Sequence, residues 1–237
     1  MSTNCLSYWF PKIQAAGLPV PKTIMVPMSR EQLRAVFSVF DGKPMGDEAE
    51  PFFIELTAAA DAIGYPCFLR SGHTSAKHDW KNTCYLTSSE NIKRHVVGIV
   101  EYGELACITG LPWDIWAVRE FLPTTPITTA PRYGDMPITR EFRYFVHDDQ
   151  VICHHPYWPK EALTRGGVEG DIDKLYTELT DSDDDIPAFG ELASRAGKAV
   201  GGEWSVDILE TKNGPYITDM ALADSSFHWE GCPNGTP

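Results

Sequence analysis

Residues 203–220 read EWSVDILETKNGPYITDM. Two apolar-rich runs flank Lys212, Asn213 and Gly214, so the segment reads as an antiparallel hairpin. A three-residue Lys-Asn-Gly loop would put Gly214 last, where such loops commonly want a left-handed backbone. Thr211 then faces Pro215, and counting back sets Asp207 opposite Asp219. Directly opposed side chains share a face, with Cβ atoms roughly 5 Å apart. Two carboxylates that close repel unless one is protonated or a cation sits between them. Oxygens from one or two carboxylates, completed by substrate phosphates, are what Mg²⁺ prefers. Spacing alone leaves two readings open. The pair is a cation site, or it faces solvent at a sheet edge. A two-residue Asn-Gly loop would shift the register by one and separate the acids.

The 237 residues, 43% hydrophobic, are enough for one sizeable core or for two lobes around a cleft. The formal net charge of -13 argues against a nonspecific nucleic-acid binder, which would carry a basic stripe. A local group of Lys and Arg can still reverse the field for a small anion. The six cysteines, Cys5, Cys67, Cys84, Cys107, Cys153 and Cys232, form no CxxC pair. Scattered in this way, they read as reduced, mostly buried thiols. The N-terminus lacks the basic and apolar regions of a signal peptide, and no apolar run is long enough to span a membrane. The expectation is a soluble cytoplasmic protein with neither nucleic acid nor membrane as partner.

Outward from the hairpin, FGELASRAGKAV (189–200) reads as a helix with Phe189, Leu192, Ala193, Ala196 and Val200 on one face. Upstream, Ser29 and Gln32 make a capping box, and Leu33, Val36, Phe37 and Phe40 give that helix its apolar stripe. Helices are also expected over 50–63 and about 90–107, and strands over 23–26, 65–70 and 114–122. Residues 71–82 read as a loop, as does the acidic run 181–185. Residues 124–137 and 156–186 read as variable loops without a legible signature. There is no internal repeat, and no linker clearly divides the chain. Hairpins mixed with helices make the fold class α+β.

An acidic pair that holds a cation implies a phosphate ligand, and basic residues are available for one. Arg70 ends a strand, Lys77 and Lys81 follow it, Arg119 lies in DIWAVREFL, and Arg140 and Arg143 lie in TREFRYF. Strand alternation puts Arg143 on the face opposite Phe142 and Tyr144. Taken singly, each basic residue is also explained as one that points at water. No GxxxxGK[ST] loop, HExxH set or GxSxG elbow is present. His154 and His155, adjacent on a strand, face opposite sides, so the histidines give no zinc signature.

In their order, these pieces resemble the ATP-grasp superfamily. AGLPVPKT (16–23) looks like its opening strand-turn, and YPCFLRSG looks like the strand that delivers a phosphate-binding basic residue, here Arg70. WAVREFL (116–122) resembles the hinge strand whose backbone pairs with adenine, EFRYFV the strand that supplies an active-site arginine, and the 205–220 hairpin the metal-binding one. FLRSGHTSAKHDW, NTCYLTSS and FHWE are similar to segments of a eukaryotic ATP-grasp family that assists assembly of the trimeric translation initiation factor two. Short ATP-grasp proteins of phages and bacteria are an equal match. The resemblance runs from about residue 16 to 230.

The resemblance implies a single ATP-grasp domain over 1–237, an α+β fold with two lobes clasping a nucleotide, about 16–115 and about 116–237. It implies ATP and Mg²⁺ as cofactors, with Arg70, Lys77, Val118, Arg119, Glu120, Phe121, Leu122 and Arg143 at the nucleotide. Arg143 is the catalytic candidate, and Asp207 and Asp219 are the metal candidates. The implied activity is a ligase joining a carboxylate to an amine through an acyl phosphate. The alternative is an ATP-binding assembly factor or regulator with a protein partner. Two departures stand out. The family hairpin usually ends in an acid, a spacer and Asn, where this chain has Met220 and Ala221, and alanine cannot coordinate a cation. Arg70 stands where Lys is frequent, an exchange that phosphate binding tolerates.

Overall fold

A computed structural model describes residues 2–105, 111–180, 186–229 and 232. The chain divides into two compact units, Lys22–Phe121 and the pair of segments Met1–Pro21 and Leu122–Pro237. The division falls after Phe121, because the strand ending at Glu120 pairs inside the first unit. The opening residues belong to the second unit. There α1 (Leu6–Ala15) buries Leu6, Trp9, Phe10 and Ile13. Their spacing is helical, but Pro11 inside the segment masks the signal.

The first unit is built on an antiparallel sheet of order β1-β4-β2-β3. Its strands are β1 (Thr23–Pro27), β2 (Cys67–Ser71), β3 (Tyr85–Leu86) and β4 (Ile115–Glu120), and its helices are α2 (Arg30–Phe37), α3 (Glu50–Ile63) and α4 (Ile92–Leu105). The capping box is present: Ser29 Oγ accepts from Gln32 N–H at 3.2 Å, and Gln32 Oε1 accepts from Ser29 N–H at 2.7 Å. The helix ends earlier than its stripe implied. A 3₁₀ turn covers Ser38–Asp41, and Phe40 is 43% exposed. The expected helix 50–63 matches α3. Residues 106 and 107 of the expected 90–107 helix lie outside the described residues, as does the 181–185 run.

One face of this sheet packs on helices. Cys67, Leu69, Trp116 and Val118 meet Phe52, Phe53 and Leu56 of α3 and Val96, Ile99 and Val100 of α4. Alternation puts Phe68, Arg70, Ala117 and Arg119 on the other face.

The second unit carries an antiparallel sheet of order β10-β9-β7-β8, made of β7 (Glu141–His147), β8 (Gln150–Pro156), β9 (Glu203–Thr211) and β10 (Gly214–Leu222). Its back face, including Phe142, Tyr144, Val206 and Ile208, lies against α7 (Ile186–Val200), with Phe142 edge-on to Phe189 at 5.8 Å. The N-terminal segment pairs with β10: Ile217 N–H donates to Pro19 O at 2.9 Å, and Leu222 N–H to Asn4 Oδ1 at 2.6 Å. Both bonds satisfy an edge strand that would otherwise offer free donors. The stretches 124–137 and 156–186, expected as loops, contain a small hairpin, β5 (Thr128–Ala130) with β6 (Met136–Ile138), and helices α5 (Lys160–Arg165) and α6 (Ile172–Thr180).

The β7–β8 turn docks on the end of α7. Asp148, in the left-handed region at φ 52°, exchanges bonds with Gly202, and Ser194 Oγ donates to Asp149 O at 2.6 Å. Gly197 permits this approach, since a Cβ there would run into Asp148 O and the Val146 side chain. Gly197→Ala should therefore destabilise by about 1–3 kcal/mol, as overpacking does. Helix propensity alone would stabilise by up to about 1 kcal/mol. A urea midpoint that rises would show that the turn is not held this way.

Candidate functional site

The hairpin does pair Asp219 with Asp207, but by a different route from the one the loop implied. Thr211 pairs with Gly214 and Glu210 with Pro215, one residue tighter than a three-residue loop gives. Left uncorrected, that register would separate the acids. A bulge between Ile217 and Asp219 absorbs Thr218 and brings them opposite again. Thr211 Oγ1 closes the turn, donating to Gly214 O at 2.7 Å and accepting from Asn213 N–H at 3.1 Å, while Gly214 takes φ 102°. Thr218 Oγ1 lies 3.3 Å from both Glu141 Oε1 and Asp207 O.

Arg143 on β7 pairs with Asp207 on one side and with His155 of β8 on the other. One row therefore crosses all four strands on the face away from α7: His155, Arg143, Asp207, Asp219. At its centre is a two-pronged ion pair, Arg143 Nε to Asp207 Oδ1 at 2.7 Å and Nη2 to Oδ2 at 2.8 Å. The Asp207 side chain is 6% exposed and that of Arg143 16%. Burial opposes the arginine's charge. The paired and hydrogen-bonded Asp207, with lesser pulls from Tyr157 and Asp219, outweighs burial and holds Arg143 above the ordinary arginine value. Asp219 Oδ1 accepts from Met220 N–H at 3.0 Å.

His155 was read only as a residue facing away from His154. It is buried, and its Nδ1 bonds Pro156 O at 2.8 Å. Because a carbonyl only accepts, that nitrogen carries the proton and Nε2 is left as the bare one. Burial, assisted by Arg143 and His228, pushes its pKa down to about 4 against the pull of the Pro156 carbonyl. One row further along the same face lie Cys153, Phe145, Ser205 and Ala221. Ser205 Oγ is 2.6 Å from Ser226 Oγ and donates to the Ala221 carbonyl at 3.3 Å.

The first unit holds the other candidates. Arg70 and Arg119 are each 3% exposed, on the face opposite the one that packs on α3 and α4. Arg70 Nε donates to Ser71 O at 3.0 Å, and Arg119 Nε to Thr23 Oγ1 at 3.1 Å. Half-buried Lys77 opens a 3₁₀ segment directly after Ala76, whose φ is 52°. Glu120 Oε1 accepts from Lys22 N–H at 2.8 Å. Phe121 joins an aromatic group, 6.0 Å from Trp80 and 5.2 Å from Tyr85, with those two rings stacked at 5.4 Å. Val118 points to the opposite face, into the helix-side core, so its side chain is a packing group. In the second unit, Leu122 is buried.

No family model matches the sequence, and no curated protein does. Solved structures do. C-terminally truncated Cdc123 from Schizosaccharomyces pombe is similar at a TM-score of 0.54 and 13% identity, over 92% of this chain and 82% of that one. A RimK domain ATP-grasp protein from Sphaerobacter thermophilus DSM 20745 is similar at a TM-score of 0.45 and 15% identity, over 92% of this chain and 58% of that one. D-alanine–D-alanine ligase from Bacillus anthracis, solved in complex with ATP, gives a TM-score of 0.47 and 9% identity, over 94% of this chain and 57% of that one. The chain thus spans somewhat over half the length of the last two. Identities this low report on fold alone, and the fold is similar to that of truncated Cdc123, the one of these three with a TM-score above 0.5. Among the described residues, no helix is long and apolar enough to cross a membrane.

Proposed function

We propose that this protein is an ATP- and Mg²⁺-dependent ligase, a single two-lobed ATP-grasp domain that joins a carboxylate to an amine. The observation that carries the reading is the row Arg143–Asp207–Asp219, one cation and two acids paired strand by strand on one sheet face. The acids fit a Mg²⁺ ion. Arg143 uses one lone pair on each Asp207 oxygen, and a carboxylate offers about four such sites, so two remain. When bound, Mg²⁺ supplies charge neutralisation at the β- and γ-phosphates.

The remaining roles belong to the chain's own groups. Arg70 and Lys77 hold the α- and β-phosphates. The backbone of 119–122 meets adenine, with Phe121 as a wall of the base pocket. The γ-phosphoryl passes to a substrate carboxylate oxygen and ADP leaves. The amine nitrogen then attacks the acyl carbon, loses a proton and expels phosphate. Arg143 stabilises the oxygens that carry charge in both steps. The carboxylate and amine partners are unidentified. The reading predicts that calorimetry detects ATP binding that tightens with Mg²⁺, and that ADP is released only when an acid and an amine are both supplied. A chain that binds no ATP at millimolar concentration would sink it.

A second reading, an ATP-binding assembly factor or regulator with a protein partner, has its own support. Ala221 offers no ligand, and Arg143 already neutralises Asp207. Tight ATP binding with no turnover in any acid–amine pair, together with a stable complex on pull-down, would favour it.

A further inference from the structure

Three side chains outside the nucleotide reading converge beside the row. Cys153 of β8, His228 and Cys232 place one ligand atom each within 4.8 Å of one another. Cys153 Sγ is 3.1 Å from His228 Nε2. The C-terminal segment is laid over this sheet face by specific contacts. Arg143 Nη1 donates to Phe227 O at 3.4 Å, the His228 ring stacks on Phe145 at 4.1 Å, and Trp229 stacks on His155 at 5.1 Å. Cys232 N–H donates to Trp229 O at 3.0 Å.

We propose that Cys153, His228 and Cys232 form a binding site for a thiophilic divalent cation, Zn²⁺, that ties the C-terminal segment to β8. Two thiolates and an imidazole are the ligand chemistry of zinc and not of Mg²⁺, which takes oxygens. Zinc–sulfur bonds of about 2.3 Å and zinc–nitrogen bonds of about 2.0 Å at a tetrahedral centre put S and N about 3.6 Å apart and two sulfurs about 3.8 Å apart. The N···S distance therefore needs to open by only about 0.5 Å to admit the ion. Three protein ligands leave the fourth position for water. The stacking of His228 on Phe145 fixes the imidazole plane before any ion arrives, which lowers the cost of binding. The site is independent of the ligase reading, and it stands or falls whether or not ATP binds.

The test is Co²⁺ and Zn²⁺ titration of the full chain, purified reduced. Co²⁺ should give the intense visible bands of a tetrahedral site and a thiolate-to-cobalt band in the near ultraviolet, and Zn²⁺ should displace it at equal stoichiometry. Cys232→Ser, at a half-exposed position, should keep the far-ultraviolet spectrum of the parent and weaken Zn²⁺ binding by at least about 100-fold, more than the loss of an outer partner costs. Cys153→Ser should do the same. Weak octahedral Co²⁺ bands, a spectrum unchanged by Cys232→Ser, or a Cys153–Cys232 disulfide in place of bound metal would each overturn the proposal.

Discussion

Arg143→Met should cost about 3–5 kcal/mol of stability, the usual penalty for leaving one member of a buried ion pair alone. The reason is the position of Asp207 in the middle of the sheet, with a side chain only 6% exposed and both oxygens bonded to the guanidinium. Removing the arginine strands a carboxylate where water reaches it poorly. The double variant Arg143→Met with Asp207→Leu should recover most of the loss, because two apolar groups of similar volume need no partner. Neither variant should bind ATP in a Mg²⁺-dependent way. Urea denaturation separates these outcomes from nucleotide affinity. A cost below about 1 kcal/mol would place the pair with surface ion pairs and remove the argument for a preorganised arginine.

Asp219→Asn should behave in the opposite manner. Asparagine keeps the oxygen that accepts from Met220 N–H, and the position is half-buried, so stability should change by no more than about 0.5 kcal/mol. The charge is lost, however, and with it the second acidic ligand. The affinity of a non-hydrolysable ATP analogue in the presence of Mg²⁺ should fall about tenfold or more, roughly 1.4 kcal/mol, while affinity in chelator stays the same. The companion change Ala221→Asn adds a side-chain oxygen on the same face of β10, two residues along, and should tighten Mg²⁺-dependent binding. If Asp219→Asn binds as tightly as the parent with Mg²⁺, the acidic pair is not a metal site.

Local rules made much of this molecule legible in advance. Capping chemistry located the start of α2, a helix was expected over the residues of α3, and apolar periodicity located the buried face of α7. Turn residues and alternation located the hairpin and set Arg143 on the face away from Phe142 and Tyr144. Each of these depends on residues within a few positions of one another, so the sequence carries them in full.

What lies across strands was not legible in that way. The acids face each other because a tighter turn is compensated by a bulge at Thr218, two deviations that spacing cannot separate. Arg143 meets Asp207 because β7 and β9, 64 residues apart at that bond, pair in one particular register. Cys153 meets His228 across 75 residues, so no spacing pattern announces the cluster. Val118 and Arg119 are neighbours in sequence but face opposite sides of β4, which decides that one packs in the core against α3 and α4 and the other lies on the opposite face. Sequence by itself determined elements such as α2, α3, α7 and the β9–β10 hairpin, because helix and strand preferences are short-ranged. Only the tertiary structure decided which side chains share a row, because register is fixed by the sum of many distant pairings.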